Sequence, residues 1–487
     1  MMSSNNEQKQ VFWFTLINYL GIVIGIVSTI FIYPNDKEVL GIIRYVDAIA
    51  QLMFPIMLFG AGQALIYFYP SVSEESQKKL FKYAIVTILG ISTVLLLLLI
   101  LGNYIISFEN YKYIFYAFPL AFAIAFIELF KRQATNLKKL SVPTLFEKII
   151  PKVALPIIFL LLLSGYLEVM DGLLAFIASY FIIVALLMLY VFKHFSINLD
   201  FSFKSLFAQI VKKEYYRYSF YAFLGSFGSF LAFRLDVLMI PEFITFEANG
   251  TYSIGVVLAS VIAVPASGIF AIYSPLISEY LKKNSIVELG RKYTENAKLL
   301  FFVGAVLYGA IVLGIDSLFQ LLPTYDKLVD SIPIIMILGA NVLFNMSTGF
   351  SSEIISYSKY YRVNIMLLFV LVFINICLNL YVLTQTDYGI AGVAWASLIA
   401  MGLFNSIKLY YIYIKFKILP FDKGYLQLFL IVLLIGIGVY FMPEAESNIL
   451  NLLVKSGVFC VLTVLVVYRL KLVYSLNYWV EKVLYKK

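Results

Sequence analysis

Two short stretches put charge where the surrounding chain is apolar. "GIIRYVDAIA" (41–50) carries Arg44 and Asp47, and "AFRLDVLMI" (232–240) carries Arg234 and Asp236. A guanidinium is always charged and offers a planar fork of donors suited to oxyanions, while a carboxylate can pair with it or hold H⁺ or Na⁺. Spacing decides which groups can serve each other. Arg44 and Asp47 stand at i, i+3, on one face of a helix and close enough to pair. Arg234 and Asp236 stand at i, i+2, about 200° apart on a helix, so each must look elsewhere for a partner. Lys152 is a further cation, in "IIPKVALPIIF" between Pro151 and Pro156. Asn341 and Asn345 stand at i, i+4, and Asn375 and Asn379 repeat that spacing. Catalytic chemistry is poorly provided for. His194 is the one histidine, too few for a histidine zinc site. Cys377 and Cys460, on apolar backgrounds, imply neither a disulfide framework nor metal-ligand spacing.

What positions these residues follows from composition. The 487-residue chain is 62% hydrophobic and 13% charged, with a mean hydropathy of +0.91. A soluble protein would carry about twice that charge fraction. Apolar runs of roughly twenty residues, each long enough to cross a bilayer as a helix, recur from end to end. The sequence predicts an all-α polytopic membrane protein with about fourteen spans, near 11–33, 41–69, 83–101, 112–130, 146–165, 172–192, 217–240, 251–274, 297–319, 331–356, 363–383, 389–414, 424–442 and 449–468. The first span is too long for a signal peptide and lacks a small-residue cleavage site after it. With both termini inside, the 37 basic residues fall on the inner side except Lys37, Lys112, Lys327 and Lys455 outside and Arg44 and Arg234 within spans. The net charge of +9 is thereby explained by topology and gives no support to nucleic-acid binding.

The outer loops run to about ten residues or fewer and house no domain. The longest internal connection, 194–216, places Phe203, Leu206, Phe207, Ile210 and Val211 opposite Lys204, Lys212 and Lys213, a pattern for an amphipathic cytoplasmic helix. A parallel repeat is also visible. Pro34, Gly41, Tyr45 and Pro55 in spans one and two correspond to Pro241, Gly250, Tyr252 and Pro265 in spans seven and eight. The expected division is an N-lobe over 1–193, a linker over 194–216, a C-lobe over 217–416, and spans thirteen and fourteen with an interfacial tail over 417–487.

"NDKEVLG" before a Tyr-containing span two, the "RLDVLMI" to "NGTYSIG" hairpin and "DYGIAGVAWASLIA" in span twelve resemble the polysaccharide or O-antigen flippases of the multidrug/oligosaccharidyl-lipid/polysaccharide exporter superfamily. The resemblance covers essentially the whole chain. It implies two six-helix lobes around a central cavity plus two peripheral C-terminal helices. It also implies translocation of a lipid-pyrophosphate-linked oligosaccharide, an O-antigen or capsular or exopolysaccharide repeat unit, from inner to outer leaflet by alternating access. On that basis Arg44, Arg234 and Lys152 are candidate contacts for the diphosphate, and Asn341 and Asn345 for sugar hydroxyls. The alternatives are concrete: an arginine near the outer boundary can snorkel to water, Lys152 can be one more inner-side lysine, and membrane asparagines commonly bond a neighbouring helix.

Among the acids, Asp47 and Asp236 are candidates for ion coupling or for plain pairing with arginine. Glu128 reads as a boundary ion pair with Lys131 and Arg132, and Asp316 and Glu353 as solvated residues near span ends. No organic cofactor or metal is expected; H⁺ or Na⁺ would serve as coupling ion. The expected partners are the polyprenyl-pyrophosphate-linked oligosaccharide, the lipid bilayer and the glycan polymerase machinery, with the protein itself a monomer in the bacterial cytoplasmic (inner) membrane. Competing readings are a peptidoglycan lipid-precursor flippase and a cation or drug exporter of the same superfamily. A membrane glycosyltransferase would need long catalytic outer loops, and an ATP-driven pump a Gly-rich nucleotide loop; neither is present, so the chain is not expected to be an enzyme.

Overall fold

The computed structural model describes residues 19–105, 110–196 and 200–484, so residues 11–18 of the first expected span lie outside it. The described residues form helices joined by short connections. The first of two compact units, Met1–Gly250, holds α1 (Tyr19–Asn35), α2 (Lys37–Leu58), α3 (Ala61–Phe68), α4 (Glu74–Ile105), α5 (Tyr111–Asn136), α6 (Ser141–Leu163) and α7 (Val169–His194). It continues through a short α8 (Lys204–Gln209) and α9 (Lys212–Phe243) to the first turn of α10 (Phe246–Ser260). The second unit, Thr251–Lys487, takes the rest of α10, α11 (Val264–Lys282), α12 (Ile286–Gln320), α13 (Tyr325–Leu328), α14 (Ile332–Ser347) and α15 (Ser351–Tyr357). After these come α16 (Tyr361–Gln385), α17 (Gly389–Phe416), α18 (Lys423–Tyr440), α19 (Asn448–Arg469) and α20 (Tyr474–Leu484).

Twelve helices among the described residues are long and apolar enough to cross a membrane. The other two expected spans correspond to α1 and to α6, whose 23 residues include Glu147, Lys148 and Lys152. The protein is a multi-pass, all-helical membrane protein. Three expected spans are broken rather than continuous. Span two divides into α2 and α3 where Phe59 and Gly60 turn left-handed (φ 42° and 71°), four residues beyond Pro55. Span eight passes through a 3₁₀ turn at Val261–Ala263, just before Pro265, and span ten breaks between α14 and α15. Proline removes a helix donor and crowds the preceding turn, which accounts for the second interruption.

In the first unit α2 is buried along most of its length and packs on α5 and α9. Asp36 caps its start, accepting from the Val39 N–H at 3.0 Å. Near that end α2 meets the first turn of α10 almost backbone to backbone. A Cβ on Gly41 would stand 1.8 Å from the Phe246 carbonyl oxygen, and one on Gly250 would stand 1.9 Å from that of Lys37. The contact is reciprocal, each glycine opposing the residue four positions before the other. Asn249 donates to the Gly41 carbonyl at 2.9 Å. Only glycine allows this approach.

The linker helix is shorter than its pattern suggests: α8 ends at Gln209, and the backbone is extended at Ile210 and Val211 before α9 begins. Four of its apolar residues pack against protein, while Val211 is exposed. Leu206 and Ile210 are buried, and the rings of Phe203 and Phe207 lie edge-on to Tyr83 of α4. Lys79 of α4 binds Glu75 at 2.9 Å, Asp200 at 3.2 Å and the Ser205 hydroxyl at 2.8 Å, and Gln209 donates to Ser73 at 3.1 Å. The Ser202 N–H and the Lys79 ammonium hold the Asp200 carboxyl below its ordinary range.

In the second unit α12 packs on α14 and α19, and α17 on α14 and α16. The last two membrane helices are bonded to that core: Tyr425 of α18 donates to the Ser347 carbonyl at 3.2 Å, and Ser456 of α19 to the Ala310 carbonyl at 3.0 Å.

Candidate functional site

The first unit gathers most of the charges picked out in the sequence. Asp47 is 6% exposed, and its carboxylate lies 4.0 Å from Nη1 of Arg234 on α9. The Gln51 amide, one turn along α2, donates to the other Asp47 oxygen at 3.4 Å. The ion pair of Asp47 is thus made across helices, with Arg234, and not along α2 with Arg44. Arg234 gains the outside partner that its spacing from Asp236 demanded. Asp236 itself is half-buried and engaged.

Arg44 is half-buried, and its Nε is enclosed without a hydrogen-bond partner among the described residues. A buried donor left unmade costs about 1–3 kcal/mol, more on a charged group. Lys152 of α6 lies along α1: a Cβ on Gly21 would stand 3.1 Å from its Cδ and 3.2 Å from its Nζ. Lys152 and Arg44 are close enough to interact electrostatically. Tyr180 of α7 lies in the combined field of Asp47, Arg44 and Arg234, and Tyr33 in that of Arg44. Five helices therefore bring Arg44, Arg234 and Lys152 into one neighbourhood with Asp47 as its central anion and two phenols at its edge. Lys148 and Glu147 of α6 flank the group, and its cations outnumber the carboxylates of Asp47 and Glu147. Such a group is complementary to an anion.

Beside this group Tyr45 donates to Glu242 at the end of α9, and the Asn110 amide binds the other Glu242 oxygen at 3.1 Å. The rings of Tyr45, Tyr113 and Phe246 meet edge to face above the Gly41–Gly250 crossing, at 5.1 to 6.1 Å between centroids. Sequence reasoning passed over Tyr180, Glu242 and Gln51. Only Gln51, one turn from Asp47, had a signal that could have found it.

Asn341 and Asn345 belong to the second unit, on α14. Asn341 Oδ1 is buried without a hydrogen-bond partner among the described residues. Asn345 is exposed, and its Oδ1 accepts from Asn405 of α17 at 3.2 Å, an interhelical bond. Asn379 donates to Asn375 at 2.9 Å along α16. Glu128 is bonded to Lys131 at 2.7 Å and to Arg132 at 2.5 Å, and Lys131 also to Glu147 at 3.1 Å, a cluster tying α5 to α6. Asp316 is exposed and accepts from Gln320 at 2.8 Å.

No family model matches the sequence, and no curated protein does. Solved structures match over most of the chain. The lipid II flippase MurJ in an inward closed conformation superposes with a TM-score of 0.69 at 14% identity, over 94% of this chain and 99% of that one. The chain shares its fold with that protein. An inward-facing multidrug resistance MATE family transporter of the MOP superfamily gives a TM-score of 0.65 at 12% identity, over 82% and 94%. A MOP superfamily transporter from Pyrococcus furiosus, described as having a binding pocket of reverse polarity, gives 0.56 at 12% identity, over 84% and 96%.

Proposed function

We propose that the chain is a MOP-superfamily flippase that carries a lipid-pyrophosphate-linked oligosaccharide, an O-antigen or capsular or exopolysaccharide repeat unit, from the inner to the outer leaflet by alternating access. The observation that carries this reading is the positive group of Arg44, Arg234 and Lys152 within apolar helices, with a guanidinium nitrogen of Arg44 enclosed and unpartnered. Intramembrane cations cost from about 2.5 kcal/mol to more than 10, and an anionic cargo would offset that cost for a cluster of them. A diphosphate fits, because planar donor forks take two oxygens each and the polyprenyl tail can stay in lipid. Asp47 holds Arg234 while the site is empty and yields it when phosphate arrives; with Asp236 it is also the carboxylate available for H⁺ or Na⁺ coupling. Asn341 and Asn345 are assigned to sugar hydroxyls, and the working division is the two lobes over 1–193 and 217–416. The setting is the bacterial cytoplasmic membrane with both termini inside, next to the glycan polymerase machinery, with the protein acting as a monomer.

A second reading, flipping of a peptidoglycan lipid precursor, is favoured by the likeness to the lipid II flippase over 94% of the chain. Export of a cationic drug, the third, would pair poorly with a positive group. The test is complementation in a strain lacking the chain. Arg44→Ala and Arg234→Ala should insert at normal abundance and abolish surface glycan. Full complementation by both would remove the head-group assignment, and rescue of a strain depleted of its peptidoglycan flippase would favour the second reading.

A further inference from the structure

Lys408 sits on α17 about two turns before its end, where basic residues are expected to gather at the inner membrane face. The structure encloses it instead, at 1% exposure. Two other buried lysines contrast with it: Lys79 binds Glu75 and Asp200, and Lys455 binds Glu444 at 3.7 Å. Lys408 donates to a single neutral oxygen, the Ser352 hydroxyl of α15, at 2.9 Å, and its Nζ lies over the Phe404 ring at 4.3 Å. No carboxylate comes within 4.0 Å of it among the described residues.

Its surroundings hold one charged group that acts on it, Glu353 on α15. Glu353 is half-buried, not the solvated end-of-span residue its position suggested. Of the other helices packed on α17, α14 carries no titratable side chain, α16 carries Tyr361, Arg362, Cys377 and Tyr381, and α15 carries Tyr357 beside Glu353. Asn405, one turn before Lys408, has a buried Oδ1 without a hydrogen-bond partner among the described residues. The element that presents Ser352 and Glu353 is a short segment beyond a break. α14 ends at Ser347, Gly349 adopts φ +59°, and α15 starts at Ser351.

From this geometry we propose that Lys408, with Glu353 and Ser352, forms a proton-binding site in the second unit that couples proton movement to transport. An ammonium with one hydroxyl partner is expensive to enclose, whereas a neutral amine or a hydrated ammonium is not, so closing or opening the site changes how tightly it holds a proton. The step is a simple exchange. When α15 swings about the break, water reaches the amine and a hydronium ion gives it a proton, leaving water; on closure the proton passes back to water, or to the Glu353 carboxylate, leaving the amine neutral. The fixed amine excludes Na⁺ from this position, and the tight enclosure leaves the proton as the ion that can be taken up. The assignment rests on the transporter reading, but it concerns the coupling ion and not the cargo.

The test therefore uses no cargo. Full-length protein in nanodiscs is followed by hydrogen exchange, corrected for intrinsic rate, from about pH 6 to about pH 9. In the wild type, protection over residues 348–357 should change about tenfold with a single-proton midpoint. Lys408→Met should abolish the change, and Lys408→Arg should hold the acid-side protection at every pH. Glu353→Gln should move the midpoint by about one pH unit, which keeps the proposal testable if Lys408→Met fails to fold. A wild type without a pH-dependent change in this segment would overturn the proposal. So would a Lys408→Met protein that keeps the wild-type profile, or a Glu353→Gln midpoint that stays in place. A failed cargo assignment, by contrast, would leave all these results unchanged.

Discussion

Replacing Asp47 with Asn should tighten the binding of a polyprenyl pyrophosphate. In the empty site Asp47 lies 4.0 Å from the Arg234 guanidinium, and that attraction must be given up before phosphate can take the arginine. Two unit charges at this distance interact by about 4 kcal/mol at an effective dielectric of 20 and by about 1 kcal/mol in water. The Arg234 side chain is 32% exposed and the separation is at the limit of an ion pair, so the lower figure is the better guide. About 1 kcal/mol corresponds to roughly a fivefold decrease in Kd, felt mostly as slower release. Asn keeps the shape and retains an oxygen for the Gln51 amide, so the perturbation is one of charge. The assay is titration of purified protein in nanodiscs with a short-chain polyprenyl pyrophosphate, with equilibrium and dissociation rate read separately. Transport by the same variant should slow, because product is held. An unchanged or weakened affinity would refute the idea that Asp47 competes with the cargo for Arg234.

Gly250→Ala places a methyl 1.9 Å from the Lys37 carbonyl oxygen, so α2 and α10 must separate by more than an ångström at their starts. The expected result is a loss of about 1–3 kcal/mol in thermal unfolding and faster labelling of a cysteine at position 45; unchanged stability and protection would contradict the crossing. Asp200→Asn should free the linker. Because the folded state holds this carboxyl below its ordinary range, the bond to Lys79 contributes above that range and is lost as pH falls through the lowered value. Limited proteolysis within 200–211 should therefore begin in the wild type only at acid pH and in the variant at any pH. Lys152→Gln should raise the cargo concentration needed for half-maximal flux more than it lowers the maximum, and an unaltered concentration dependence would return Lys152 to the inner-side lysines.

Much of the architecture was legible because a bilayer imposes it: apolar runs of spanning length can only be helices, and their count follows from the charges between them. The breaks were not legible as breaks. Pro55 and Pro265 were visible, but that α2 stops at Phe59–Gly60 depends on α9 approaching so closely that a Cβ on Gly60 would stand 2.0 Å from the Ser219 carbonyl oxygen. The linker helix was visible in its apolar spacing, but its partners, Ser73 and α4, lie far away in sequence. In the site, i, i+2 spacing correctly left Arg234 in need of an outside partner. That the partner would be Asp47 could not be read from i, i+3 spacing, which pointed to Arg44 instead, because helix pairing lies outside local periodicity. Lys408 was hidden for a related reason. Near the inner end of a span a lysine looks like an orientation signal, and only the packing of α14, α15 and α16 around α17 encloses it.

The most direct measurement is the affinity of the purified protein for polyprenyl pyrophosphate, against the double variant Arg44→Gln/Arg234→Gln at equal folded concentration. Losing two charge-assisted contacts should weaken binding by about a hundredfold or more, with the wild-type affinity falling steeply as salt is raised and the variant's much less so. Equal affinities with equal salt dependence would contradict the account, because the cationic group would then have no part in holding the phosphates.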